Sequence, residues 1–140
     1  MEIDHVATAH TEASTRHVHV LVVDDSPAFI ESAILFLQAD PLIKIVGAVT
    51  SGADALVEVG RLQPDLVLMD VSMPSMNGLE ATKRIKARPA PPCVIILALH
   101  DCDEYHEAAR AVQADGFISK SDFGTRVVPL IYQMCNPPTA

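Results

Sequence analysis

Tryptophan is absent from this chain, and aromatic residues of all kinds make up only 4% of it. A core built from it must be aliphatic. Basic residues are also scarce, 10 Lys and Arg against 18 Asp and Glu, for a formal charge of −8. Neutralising a phosphate backbone needs a basic surface, so the composition argues against direct nucleic-acid binding. Only three cysteines occur, Cys93, Cys102 and Cys135, widely spaced and without a C-x-x-C. That pattern reads as reduced thiols in a cytoplasmic protein. No apolar run approaches the roughly 18 residues of a membrane span, and the N-terminus lacks a charged-then-apolar signal layout. No membrane association is expected.

What is present is 49% hydrophobic residues in 140, the size of one domain able to bury roughly 68–70% of its unfolded surface. Two acidic clusters stand out. Asp24-Asp25 follows the apolar run Val18-His19-Val20-Leu21-Val22-Val23, and Asp70 follows Leu66-Val67-Leu68-Met69. Short apolar runs rich in β-branched residues read as strands of a parallel sheet, buried on both faces. Ligands of such sheets sit beyond the carboxyl ends of the strands. Three carboxylates therefore converge where chemistry is expected. Like charges about 5 Å apart repel by roughly 3 kcal/mol at an effective dielectric near 20, a cost that calls for a cation or a proton.

The chain alternates strand-like and helix-like segments. Residues 1–16 are polar and aperiodic and read as a disordered tail. Strands are expected over Val18–Val23, Ile43–Val49, Asp65–Met69, Cys93–Ala98 and Gly116–Ser119. Ser26-Pro27 and Ser51-Gly52 open the first two helices, and Leu79–Ala87 forms the third. Asp101-x-x-Glu104 has the form of a capping box for the fourth. A last helix carries Phe123, Val127, Leu130, Ile131 and Met134; Pro129 within it suggests a late start near Thr125. The domain spans 17–135, and residues 136–140 form a tail or the start of a linker. Strict alternation argues a doubly wound, five-stranded parallel α/β sheet with right-handed crossovers.

Three motifs in order resemble one family closely. They are Leu21-Val22-Val23-Asp24-Asp25-Ser26, Asp65-Leu66-Val67-Leu68-Met69-Asp70-Val71-Ser72-Met73-Pro74-Ser75-Met76-Asn77-Gly78, and Asp115-Gly116-Phe117-Ile118-Ser119-Lys120. Asp70 lies 45 positions after Asp25, and Lys120 lies 50 after Asp70. The chain is similar to the receiver domains of two-component response regulators, the CheY-like superfamily. In style it is closest to receivers attached to LuxR-type helix-turn-helix domains. The resemblance implies the flavodoxin-like strand order 2-1-3-4-5. It implies that Asp70 is the phosphoacceptor, supplied by a histidine kinase or a phosphotransfer protein, as carboxylate nucleophiles do elsewhere. Mg²⁺ is the implied cofactor, with Asp25, Asp70 and the Ser72 backbone carbonyl as direct ligands and Asp24 acting through water. Lys120 would place its ammonium against the phosphoryl oxygens. Pro74 and Gly78 match the family's turn residues, Gly78 where a bulkier residue would strain the loop.

Where the family has Thr or Ser, 28 positions after Asp70, this chain has Ala98. In the family that hydroxyl couples phosphorylation to a switch aromatic, here Phe117. A hydrogen bond to a charged group contributes roughly 1.5–3 kcal/mol, so coupling is expected to be weakened. Ser72 and His100 are candidates for tuning hydrolysis, with a plain loop histidine as the alternative for His100. His5, His10, His17 and His19 read as solvated rather than metal-binding. The leading function is a phosphoryl-accepting signalling switch that shifts a conformational equilibrium and catalyses no reaction but its own phosphorylation and dephosphorylation. A homodimer is among the expected partners. The alternative is a degenerate receiver, a dimerisation or adaptor module needing no phosphate. A haloacid-dehalogenase-type phosphatase would want Asp-x-Asp, whereas Asp70-Val71-Ser72 lacks the second Asp.

Overall fold

The computed structural model describes residues 16–73 and 77–135. The tail readings for 1–15 and 136–140, the turn role of Pro74, and His5 and His10 lie outside the described residues.

Among the described residues, five strands and five helices alternate. They are β1 (Val18–Val23), α1 (Pro27–Gln38), β2 (Ile43–Val49), α2 (Gly52–Leu62), β3 (Leu66–Asp70), α3 (Gly78–Lys86), β4 (Cys93–Ala98), α4 (Asp103–Ala111), β5 (Gly116–Ser119) and α5 (Phe123–Cys135). A 3₁₀ turn, Lys120–Asp122, leads into α5. All pairings are parallel, in the order β2-β1-β3-β4-β5.

Alternation along each strand divides the core in two. Val20, Val22, Leu66, Leu68, Ile95, Leu97 and Ile118 pack with Ala33 and Leu37 of α1 and Phe123, Val127 and Ile131 of α5. Leu21, Val23, Val67, Met69, Val94, Ile96, Ala98 and Phe117 pack on the other side, with Ala55 and Val59 of α2, Ala81 and Ile85 of α3, and Ala109 of α4. Both faces are covered, which is why the strands read as continuous apolar runs. Each fully buried Leu or Ile contributes roughly 1.5–3 kcal/mol of transfer free energy.

The first two helix starts follow the sequence reading. Ser26 Oγ accepts the Phe29 N–H at 3.2 Å, and Ser51 Oγ accepts that of Asp54 at 3.1 Å. Two expectations fail. The capping box at Asp101 does not form: the N-cap of α4 is Cys102, with no side-chain cap bond. Its carboxylate is engaged by His106 instead. Nor does α5 start late: it runs from Phe123 with Pro129 inside it. Pro129 sits on the exposed side of the helix, and the residue one turn back that loses its N–H partner, Thr125, is exposed as well.

Candidate functional site

The pocket is assembled from strand ends. Asp24 and Asp25 directly follow β1, and Asp70 is the last residue of the neighbouring β3. Strand pairing alone brings together residues 45 positions apart. One carboxylate oxygen from each of Asp24, Asp25 and Asp70 lies within 4.8 Å of the others. Asp24 and Asp70 are 0% and 2% exposed, while Asp25 faces solvent.

Lys120 enters from the end of β5. Its Nζ is 2.6 Å from Asp24 Oδ2 and 3.6 Å from Asp70 Oδ1. It also stands 4.4 Å above the centre of the Phe29 ring on α1, a cation–π contact that holds the ammonium over the pocket. The sequence reading missed Phe29, whose helical spacing marked it only as core.

Asp24 is held firmly. Its Oδ1 accepts the Ser26 N–H at 2.9 Å. Its Oδ2 is buried and ion-paired with the Lys120 ammonium at 2.6 Å. Burial pushes the Asp70 carboxyl up from 3.8 to about 6, helped by the negative charge of Asp24 and, to a smaller degree, Asp25. Lys120 and the Ser72 backbone N–H work in the opposite direction. Burial and two neighbouring carboxylates together outweigh one ammonium and one N–H.

Three convergent carboxylates, one of them open to solvent at Asp25, are a donor set that fits a hard divalent cation, which prefers oxygen ligands. Among the described residues, this is the group of three or more His, Cys, Asp or Glu side chains close enough to hold a metal; His17 and His19 are not part of it.

Gly78 is constrained by this site. A Cβ there would sit 1.9 Å from the carbonyl oxygen of Asp70, so α3 can start close under the end of β3 only with glycine. The reason is close approach, since no glycine among the described residues has a positive φ.

Ala98 ends β4, fully buried, opposite Ser119 of β5. It presents a methyl group and no donor. Ser119 Oγ donates to Asp122 Oδ2 at 3.2 Å. Phe117 pairs with Ile96 and is buried in the same core cluster as Ala98, and His100 is exposed beyond the strand.

Comparison with known proteins gives this geometry a family. The response regulator receiver domain matches residues 20–127. The chain belongs to that family. It is 42% identical over 97 residues to a protein-glutamate methylesterase/protein-glutamine glutaminase of Syntrophus aciditrophicus, covering 69% of this chain and 28% of that protein. Among solved structures, it resembles the receiver domain of a putative response regulator, NarL, from Mycobacterium tuberculosis. There the TM-score is 0.81 at 28% identity, covering 86% of this chain and 98% of the other. It also resembles the response regulator domain of Thermotoga maritima CheB, with TM-score 0.76 at 29% identity, covering 89% and 97%.

This receiver is therefore a domain of two-component response regulators, with the CheY-like fold and strand order expected. One expectation needs correcting. The reading that no enzyme is involved beyond the domain's own phosphoryl turnover is overturned by the methylesterase relatives, which are enzymes. This chain spans 28% of the length of the first of them. The physical reason is that receiver chemistry is confined to the carboxylate pocket. Nothing in those residues encodes what the domain governs. No helix among the described residues is long and apolar enough to cross a membrane.

Proposed function

We propose that this receiver accepts a phosphoryl group on Asp70. The observation that carries the proposal is the convergence of three carboxylates within 4.8 Å with the Lys120 ammonium on two of them. A carboxylate oxygen of Asp70 attacks the phosphorus of a phosphohistidine or a small acyl phosphate. The new O–P bond forms as the P–N or P–O bond to the donor breaks, and the donor leaves with the electron pair. Lys120 faces the oxygens of the transferred group and offsets their charge.

Asp24, Asp25 and Asp70, with the Ser72 carbonyl, would hold Mg²⁺, which when bound supplies the positive charge that the pocket lacks. The donor in a cell would be a histidine kinase or phosphotransfer protein. The effector is proposed to be a second domain or a separate partner, and the relatives make a methylesterase domain one such effector. Incubation with acetyl phosphate and Mg²⁺, followed by intact mass measurement, tests the reading. One phosphoryl adduct is expected, lost in Asp70→Asn. No adduct on the wild-type chain would overturn it.

The missing hydroxyl at position 98 favours a weakly coupled switch. Without a hydrogen bond from the end of β4 to the phosphoryl group, the bias toward an active state drops by about 10- to 150-fold. Ala98→Thr should strengthen phosphorylation-dependent partner binding or dimerisation within that range. An unchanged response in sedimentation or calorimetry would refute weak coupling.

A further inference from the structure

Three segments meet at one histidine. His106, on the fourth residue of α4, stacks against Phe117 of β5 with ring centroids 4.1 Å apart and planes tilted by 39°. Its Nε2 lies 2.6 Å from Asp101 Oδ1. Asp101 belongs to the loop that begins immediately after Ala98. The two side chains are 35% and 54% exposed, so the contact lies at the surface, above the buried Phe117.

This contact displaces a local preference. A carboxylate at Asp101 could accept backbone N–H groups of the first turn of α4, a cap of the kind that stabilises many helices. The helix instead begins uncapped at Cys102. The loop is shaped by what its carboxylate finds on α4.

We propose that Asp101 and His106 form a latch that holds Phe117 in its buried position, and that phosphorylation acts against this latch rather than through a hydroxyl at position 98. The second half rests on the reading of Asp70 as phosphoacceptor; the first does not. Both residues are positioning residues, acting on the pocket only through the loop and Phe117. Two observations place the latch on the route from pocket to surface. Leu97, the neighbour of Ala98, pairs with Asp70 and accepts the Val71 N–H at 3.0 Å. The loop therefore leaves β4 at the edge where Asp70 sits. It then fixes, through Asp101, the ring covering Phe117. Ala98 carries no donor by which its own side chain could pull on a phosphoryl group. The loop backbone and its tether to His106 are what remain to transmit the change. Phe117 cannot leave its site unless His106 moves or gives up the stack, and the bond to Asp101 resists both.

Two variants separate this latch from plain packing. Asp101→Asn keeps the size and removes the charge. His106→Phe keeps an aromatic ring over Phe117 and removes the ring nitrogen. In the resting chain, both should shift the Phe117 ring resonances in the same direction, toward their position after treatment with acetyl phosphate and Mg²⁺. Both should also speed phosphoryl uptake about 2- to 10-fold, the change expected for one hydrogen bond. Circular dichroism and Mg²⁺ affinity should be unchanged. Phe117 resonances in both variants identical to wild type would sink the latch, whatever the phosphorylation result. Shifted resonances with unchanged uptake would confine it to holding Phe117 and refute its link to the pocket. Absence of any adduct on the wild-type chain would instead refute the phosphoacceptor reading and, with it, that link.

Discussion

Asp70 is held in a conflict between burial and charge, and that conflict has a measurable sign. Its carboxyl titrates near 6 in the folded protein, against 3.8 ordinarily. Between those values the folded chain binds a proton that the unfolded chain does not. Stability from this group is thus fully present below about pH 4 and lost as pH rises through 6. Asp70→Asn removes the ionisable group. In a chelating buffer, the variant should be more stable than wild type above pH 7, by up to about 3 kcal/mol. The gap should close toward pH 4. Urea midpoints at the two pH values provide the check, and a gap that widens on acidification would contradict the conflict. Asp70 and its two acidic neighbours were legible in the sequence because each directly follows or ends an apolar run. The ring of Phe29 under Lys120 was not. Its helical spacing carries no record of a cation 91 positions away.

At the scale of elements, α5 carries a proline where its own geometry has no use for one. Pro129 lies within the helix, well past the first turn where the ring is tolerated. It persists because the helix is held by Phe123, Val127 and Ile131 on its buried face, while Pro129 and Thr125 are exposed. Pro129→Ala should restore that bond and raise stability by about 1–3 kcal/mol, read as a higher urea midpoint with an unchanged slope. No gain would mean that tertiary packing already sets the helix geometry. Strand positions were readable to within a residue: β1, β2, β4 and β5 fall where apolar periodicity places them, and β3 is displaced by one, onto Asp70. Helix starts were less so. Ser26 and Ser51 act as caps because nothing else competes for their hydroxyls, whereas Asp101 is claimed by a side chain from the next turn of structure.

For the molecule as a whole, the pocket links cation binding to folding. Carboxylates gathered only by strand pairing cannot bind an ion together in the unfolded chain, so Mg²⁺ should stabilise the native state alone. At about 100 times its dissociation constant, the gain should be about 2.7 kcal/mol. It should disappear with chelator and shrink in Asp25→Asn. A urea midpoint insensitive to Mg²⁺ would rule out a cation site here. Sequence by itself determined the layer architecture, because burial on both faces of a parallel sheet writes itself as uninterrupted apolar runs separated by helical periodicity. It also placed the three carboxylates at strand ends, while Lys120 was assigned to the pocket by the resemblance of its motif to the receiver family. Tertiary structure alone decided the partners of those groups. The pairing of Lys120 with Asp24 and the Phe29 ring, the close approach of Gly78 to Asp70, and the bond from Asp101 to His106 over Phe117 join separate segments or compete with a local alternative. Local propensities cannot choose between such partners; only the packed fold, by bringing them within a few ångströms, does.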